Sequence, residues 1–312
     1  MVNLLELLHD ILKVKSCNEV AKYLNVAVGT VKRWCELENV PKSYCFDIMK
    51  LSGIEIDYSE FSFKEKDQFY TPPDTANYCI QKAQEIISIY GDNIKEYTYI
   101  EPSAGSGNFY NLLPKKRKIG IDIEPNGDGI ISHDYLEWEP TKRGKYVVIG
   151  NPPFGLRGQL ALKFINHSSF AEYVCFILPQ LFESDGKGVP RKRVKNFNLV
   201  HSEKIHTNFI EPDGRCVKIE CIFQVWSKNH KNKTYEIKEI DDSILKIYSL
   251  SDGGTPSTTR NKKMFYKCDI YIPSTTFGKE NMRYYTNFDK LPRRKGYGIV
   301  FHKNKKKYIK RS

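Results

Sequence analysis

The chain has 312 residues, of which 40% are hydrophobic, 13% aromatic and 28% charged, and its net charge is +12. This composition excludes intrinsic disorder and collagen-like structure, and the length is ample for a sizeable core in one large domain with an appendage or in two domains. No apolar run reaches the roughly 18 residues that a membrane span needs. The first dozen residues place Glu6 and Asp10 inside an apolar stripe, which reads as an amphipathic helix and not as a signal peptide, so a cytoplasmic address is expected. Eight scattered cysteines, without a CxxC pair or zinc-ligand spacing, predict reduced thiols and no metal.

Charge is unevenly distributed. Residues 1–227 carry a net charge of −1, whereas residues 228–312 carry 21 Lys and Arg against 8 Asp and Glu. A neutral body with a basic end suits a polyanion held by one part while another does something else; a solvated lysine-rich face with a disordered tail fits equally well.

In chain order, Leu4, Leu5, Leu8, Ile11 and Leu12 repeat at helical spacing, and Ser16 with Glu19 forms a capping-box signature for a second helix. Ala21, Leu24, Val26, Val31 and Trp34, around a turn at Asn25, predict a helix-turn-helix with Thr30, Lys32 and Arg33 facing out. A small helical bundle used for packing or dimerisation is the alternative. Residues 54–68 read as a linker. Thr71 is then expected to cap a helix whose first turn holds Pro72 and Asp74 and which ends at Gly91. Strands follow at Tyr97–Ile100, Lys118–Ile123, Tyr146–Gly150 and Tyr173–Leu178, with a glycine loop and a helix after the first. The stretch Cys216–Trp226 reads as one further strand. Short apolar strands separated by helical stretches predict an α/β fold with a parallel sheet covered on both faces.

Ligands of such sheets bind at the carboxyl ends of the strands. There the sequence places the loop EPSAGSG, in which Gly105 and Gly107 let the backbone approach a ligand closely. It lacks the Lys-Ser/Thr of a phosphate-binding loop and the GxGxxG spacing. Asp122 ends the second strand, where a carboxylate accepts from ribose hydroxyls, and Asp134-Tyr135 offers a carboxylate and a ring to an adenine. Together these residues describe an adenosine-shaped pocket with no phosphate to hold, which points to S-adenosylmethionine (SAM). Next comes Asn151-Pro152-Pro153-Phe154, directly after a strand. An exocyclic amine on an aromatic base is a poor nucleophile because its lone pair is delocalised. The Asn151 amide oxygen and the Pro152 carbonyl are acceptors that draw the nitrogen towards tetrahedral geometry, and Phe154 gives the base a face to stack on. In isolation the same string fits an ordinary strand-to-loop turn.

The ordered set FYTPP (69–73), EPSAGSG (101–107), GIDIEP (120–125), HDYLEW (133–138) and GNPPFG (150–155) resembles the gamma-group DNA adenine-N6 methyltransferases over roughly residues 69–230. The resemblance implies a Rossmann-like SAM-dependent domain. It implies that Thr71, Glu101, Pro102, Ser103, Ala104, Gly105 and Gly107 hold the methionine end of the cofactor. By the same likeness Asp122 and Ile123 serve the ribose, and Asp134 and Tyr135 the adenine. Asn151, Pro152, Pro153 and Phe154 are implied to be catalytic, and Phe209 to stack opposite Phe154. The family more often has Tyr at the position of Phe154, and stacking survives that change.

The expected organisation is a helix-turn-helix domain at 1–53, a linker at 54–68, the catalytic domain at 69–230 and a basic DNA-recognition region at 231–312. Arg191 and Arg193, with Arg293, Arg294, Lys295 and the Lys305–Lys307 run, are candidates for phosphate contacts to double-stranded DNA, from which the target base must flip. A cognate restriction endonuclease is a further expected partner. The rivals are the same chemistry on RNA, glutamine methylation of a protein, and a non-catalytic DNA-binding regulator.

Overall fold

The computed structural model describes residues 3–184, 189–233, 243–253, 259–274, 283–287, 291 and 294–303. The chain divides into two units, Met1–Tyr235 and Glu236–Ser312. The first begins with four helices, α1 (Leu4–Val14), α2 (Cys17–Tyr23), α3 (Val28–Glu36) and α4 (Cys45–Ser52), one more than the apolar periodicity suggests. The capping box forms as expected: the Glu19 amide donates to Ser16 Oγ at 3.2 Å, and the Ser16 amide donates to Glu19 Oε2 at 2.7 Å. Asn25 adopts a left-handed φ of 53° in the turn between α2 and α3, and Leu8, Val20, Val31 and Trp34 bury a core belonging to these helices. Residues 54–68 make side-chain contacts on both sides. Phe61 meets the Phe46 ring of α4 edge-on and Tyr58 meets it at a tilt, and Lys66 pairs with Glu124 at 2.7 Å.

After α5 (Pro73–Ile89) come β1 (Tyr97–Glu101), β2 (Lys118–Asp122), β3 (Ile130–Ser132), β4 (Lys145–Gly150), α6 (Gln159–His167), β5 (Tyr173–Pro179), β6 (Asn198–Ile205), β7 (Asn208–Ile210), β8 (Cys216–Lys218) and β9 (Cys221–Ser227). Seven of the strands form one sheet in the order β3-β2-β1-β4-β5-β9-β6. The first five are mutually parallel, while β9 runs antiparallel to both β5 and β6. This is a Rossmann-like doubly wound sheet. α5 covers one face through Ala76, Ile80, Ala83 and Ile87, and α6 covers the other through Ala161, Leu162 and Ile165. Each large aliphatic side chain buried this way contributes about 1.5–3 kcal/mol of hydrophobic free energy.

Three expectations are corrected. No α-helix follows the glycine loop: the chain makes turns and one 3-10 turn (Tyr110–Leu112) and buries Phe109 and Leu113 in place of a helix face. Pro114, which fixes φ in the middle of that short crossover, leaves no room for a helix before β2. The stretch 216–226 is two strands, because β8 pairs with β7 in a separate hairpin and only β9 enters the large sheet. Finally, the residue capping α5 is Pro72, and Thr71 lies one residue further out with its hydroxyl unused.

The second unit contains a three-stranded antiparallel sheet of β10 (Leu245–Ser251), β11 (Ile270–Pro273) and β12 (Lys295–Phe301), in the order β10-β12-β11. Its core is Leu250, Phe265, Cys268 and Tyr271. Among the described residues no helix is long and apolar enough to cross a membrane.

Candidate functional site

The strand order reverses between β1 and β4: β2 and β3 lie on one side of β1, and β4 returns to the other. The loops after β1 and β4 therefore flank the crevice in which doubly wound sheets bind ligands. They are joined directly, since Ser103 Oγ donates to the Asn151 carbonyl at 3.1 Å.

The loop after β1 is held from below by two carboxylates, the buried Glu101 and the half-buried Asp122. Glu101 Oε2 accepts from the Tyr110 amide at 2.6 Å. Asp122 Oδ2 accepts from the Gly105 amide at 2.7 Å, and its Oδ1 accepts from the Glu124 amide at 2.8 Å. Burial raises both carboxyls above their usual range, Glu101 strongly, and the backbone hydrogen bonds only partly offset this. Gly105 and Gly107 have φ of 48° and 80°, and a Cβ on Gly105 would meet the Tyr70 ring at 3.0 Å, so the close approach of loop and Tyr70 requires glycine. Pro102 and Ala104 are buried beneath the loop. Thr71 is tied to the same loop by its carbonyl, which accepts from Asn108 Nδ2 at 2.7 Å; its Oγ1 is buried and has no hydrogen-bond partner among the described residues.

A cavity of about 650 Å³ opens beside this loop. Ser103, Gly105, Asp122, Ile123, Asp134, Tyr135, Asn151 and Pro153 line it from the sheet side, and Tyr23, Asn25, Tyr44, Phe46, Lys50 and Tyr58 line it from the N-terminal segments. Asp134 Oδ1 accepts from the Leu136 amide at 2.9 Å, and its Oδ2 is paired with Lys50. Tyr135 is a core residue. It is 1% exposed, its hydroxyl bonds Ser168 Oγ at 2.7 Å, and its ring lies against Phe164 and His167, so it forms a wall of the cavity and presents no open ring face.

A second pocket, of only about 10 Å³ and so with room for about one water, adjoins the first at Asn151 and is lined by Asp67, Phe69, Asn151, Pro152, Phe154, Phe209 and Ile219. The chain brings Phe209 to Phe154 through the β7–β8 hairpin, which is anchored where the Tyr70 amide donates to the Ile210 carbonyl at 2.8 Å and the Ile210 amide returns a bond at 2.9 Å. Asn151 Nδ2 donates to the Phe69 carbonyl at 3.3 Å, while Asn151 Oδ1 is buried with no partner among the described residues. Leaving such an acceptor unsatisfied costs about 1–3 kcal/mol. The amides of Phe154 and Gly155 both donate to Asp67 Oδ2, at 2.7 and 2.9 Å. Asp67, Lys50 and Tyr58 escape the sequence analysis; Asp67 precedes FYTPP in a stretch of mixed polarity without helical or strand period, and the other two are brought in by tertiary packing.

The basic candidates are spread over the chain. Lys32 and Arg33 are exposed on α3, and Thr30 is half-buried. Arg191 and Arg193 are half-buried in a 3-10 turn, and Lys295 is exposed on β12. Arg294 is already engaged: it donates to the Tyr266 hydroxyl at 2.9 Å, lies over the Phe265 ring and faces Asp252. Arg293 and Lys305–Lys307 lie outside the described residues.

No protein-family model and no curated protein matches the chain. Among solved structures, it is similar to a candidate RNA methyltransferase from Pyrococcus horikoshii, with 19% identity and a TM-score of 0.39 over 52% of this chain and 86% of the other. It is also similar to the modification subunit of a candidate type I restriction enzyme from Vibrio vulnificus (13%, TM-score 0.36, 85% and 68%). A third similarity is to the magnesium protoporphyrin IX methyltransferase from Synechocystis, solved with SAM bound (11%, TM-score 0.36, 69% and 98%). Likeness at this level leaves the functional argument to the site itself.

Proposed function

We propose that the chain is a SAM-dependent methyltransferase that modifies the exocyclic N6 of an adenine flipped out of double-stranded DNA. One observation carries the reading. Asn151 Oδ1, at the carboxyl end of β4, is a buried acceptor with no partner among the described residues, in a pocket walled by the Phe154 and Phe209 rings and opening beside a cofactor-sized cavity. A fold tolerates an unsatisfied acceptor where a ligand is to satisfy it.

The larger cavity suits SAM. Its volume lies within the usual range for small-molecule sites, and Asp122 and Asp134 on its wall supply carboxylate acceptors for an adenosine. When bound, SAM supplies an electrophilic methyl group. Asn151 Oδ1 and the Pro152 carbonyl accept the two hydrogens of the target amine and free its lone pair. The pocket has to widen to admit the base, which stacks on the half-buried Phe154 ring and so offsets part of the few kcal/mol that flipping costs; Phe209, 1% exposed, belongs to the core behind the pocket. No general base is required, because the amine proton leaves to water after transfer. Lys32 and Arg33 on α3, Arg191 and Arg193, and the basic residues after 228 contact phosphates, and a restriction endonuclease of the same specificity is the expected partner.

Methyl incorporation into duplex DNA and into ribosomal RNA, with Asn151→Ala as control, tests the reading, and single-molecule sequencing of DNA from an expressing host locates the mark. N6-methyladenine at a defined duplex site is the expected result. A product on RNA alone, on a glutamine amide or on another base atom overturns it.

A further inference from the structure

We propose that Asp67 is a positioning residue for methyl transfer, holding the Asn151–Gly155 loop in the shape that presents Asn151 Oδ1 and the Phe154 ring to the target base. The inference rests on reading that loop as the target site.

The loop cannot brace itself. Pro152 and Pro153 have no N–H to donate, and the chain beyond them runs through left-handed backbone at Gly155, Arg157 and Gly158, with φ of 65°, 53° and 70°. The first amides after the prolines, those of Phe154 and Gly155, converge on the single oxygen Asp67 Oδ2. Two consecutive amides closing on one carboxylate oxygen form an anion nest, and charge-assisted bonds of this kind are about twice as strong as neutral ones. On its other side the Phe154 carbonyl accepts from the Leu160 and Ala161 amides at the start of α6, at 3.1 and 3.3 Å. The Phe154 peptide is thereby clamped from both sides, and its ring inherits that fixed position.

The same short segment also fixes the other end of the loop. Two residues after Asp67, the Phe69 carbonyl accepts from Asn151 Nδ2. An amide group has one donor side and one acceptor side, so this bond decides that Oδ1 is the atom left for a ligand. Asp67 is itself held in a left-handed conformation (φ 55°) by a turn in which its amide donates to the Lys64 carbonyl at 3.3 Å and the Gln68 amide donates to the Phe63 carbonyl at 2.9 Å. Residues 67–69 thus brace both the acceptor and the stacking ring.

Asp67→Ala and Asp67→Asn in the full chain test this, read by hydrogen exchange over residues 151–158, SAM affinity by calorimetry and methyl transfer to duplex DNA. In Asp67→Ala the loop amides exchange about tenfold or more faster and transfer falls about 100-fold, while SAM affinity, with Asp67 also on the wall of the larger cavity, falls far less than transfer. Asp67→Asn keeps an oxygen that accepts from both amides, and recovers most of the protection and most of the rate. Unchanged exchange and transfer in Asp67→Ala overturn the proposal. So does an Asp67→Asn variant that is inactive while its loop stays protected, since that assigns the carboxylate to proton handling. A wild-type chain that methylates no nucleic acid sinks the functional reading instead, and the exchange arm still shows whether Asp67 holds the loop.

Discussion

Lys50, in the last turn of α4, pairs its ammonium with the carboxylate of Asp134 across the mouth of the larger cavity. Burial works against the charge on Lys50, and the hydrogen bond and charge of Asp134 outweigh it, leaving the lysine above its ordinary value. Two more side-chain pairs join the N-terminal helices to α6: Lys163 with Asp47 at 2.8 Å, and Asn25 with Gln159. The helices that read as a separate DNA-binding domain are therefore also a wall of the larger cavity.

Deleting residues 1–53 accordingly weakens SAM binding about tenfold or more, whatever those residues do to DNA, because the cavity loses one side. The cleaner probe of DNA reading is Lys32→Ala with Arg33→Ala, at exposed positions on α3. Calorimetry should find SAM affinity unchanged in this double variant, while fluorescence anisotropy finds weaker DNA binding whose log-log salt slope is shallower by about two. An unaltered slope would mean that α3 packs and does not read.

Asn151→Ala removes the unpartnered acceptor and should reduce transfer by about 100-fold or more. SAM affinity, measured by calorimetry, should fall far less than transfer does, although Asn151 lines both pockets. A large loss of SAM affinity would place Asn151 in the wrong compartment.

Glu101 gives a pH signature. Its folded pKa lies above the unfolded one, so between the two values the folded state binds more protons and stability falls as pH rises. Glu101→Gln is neutral throughout and still accepts from the Tyr110 amide. Thermal melting from about pH 5 upward should show the wild type losing stability relative to the variant. Asp122, shifted in the same direction, is present in both proteins and drops out of the difference. Parallel melting curves would show that Glu101 stays ionised.

At the opposite end of the sheet, Asp92 shows the reverse behaviour. Its Oδ2 accepts from the Tyr173 hydroxyl at 2.6 Å and from His230 Nε2 at 3.0 Å, with the His230 ring between Tyr90 and Tyr173. Burial alone would raise this carboxyl, but the hydrogen bonds prevail and lower it, so its stabilisation is present above the unfolded pKa and lost as pH falls through the folded one. Asp92→Asn should cost about 1–3 kcal/mol in urea unfolding at neutral pH, and the gap should close in acid.

Much of the architecture was legible because burial writes itself into sequence. β4 and β5 are buried and mostly apolar, β1 and β2 carry apolar residues at their centres, and all four lie within a residue of the expected bounds at either end. The division of 216–227 was not legible, because alternation continues through Ile219 and Glu220 and only the pairing of β7 with β8 breaks it. The loops EPSAGSG and NPPF were visible through their glycines and prolines. Asp67 was not, because its role depends on amides 87 and 88 residues away.

The single bond from Ser103 Oγ to the Asn151 carbonyl spans the point where the sheet changes direction. It ties the loop after β1, beside the larger cavity, to the loop after β4, which lines both pockets. Under the proposed function, any relative shift of the two loops has either to break that bond or to move both together.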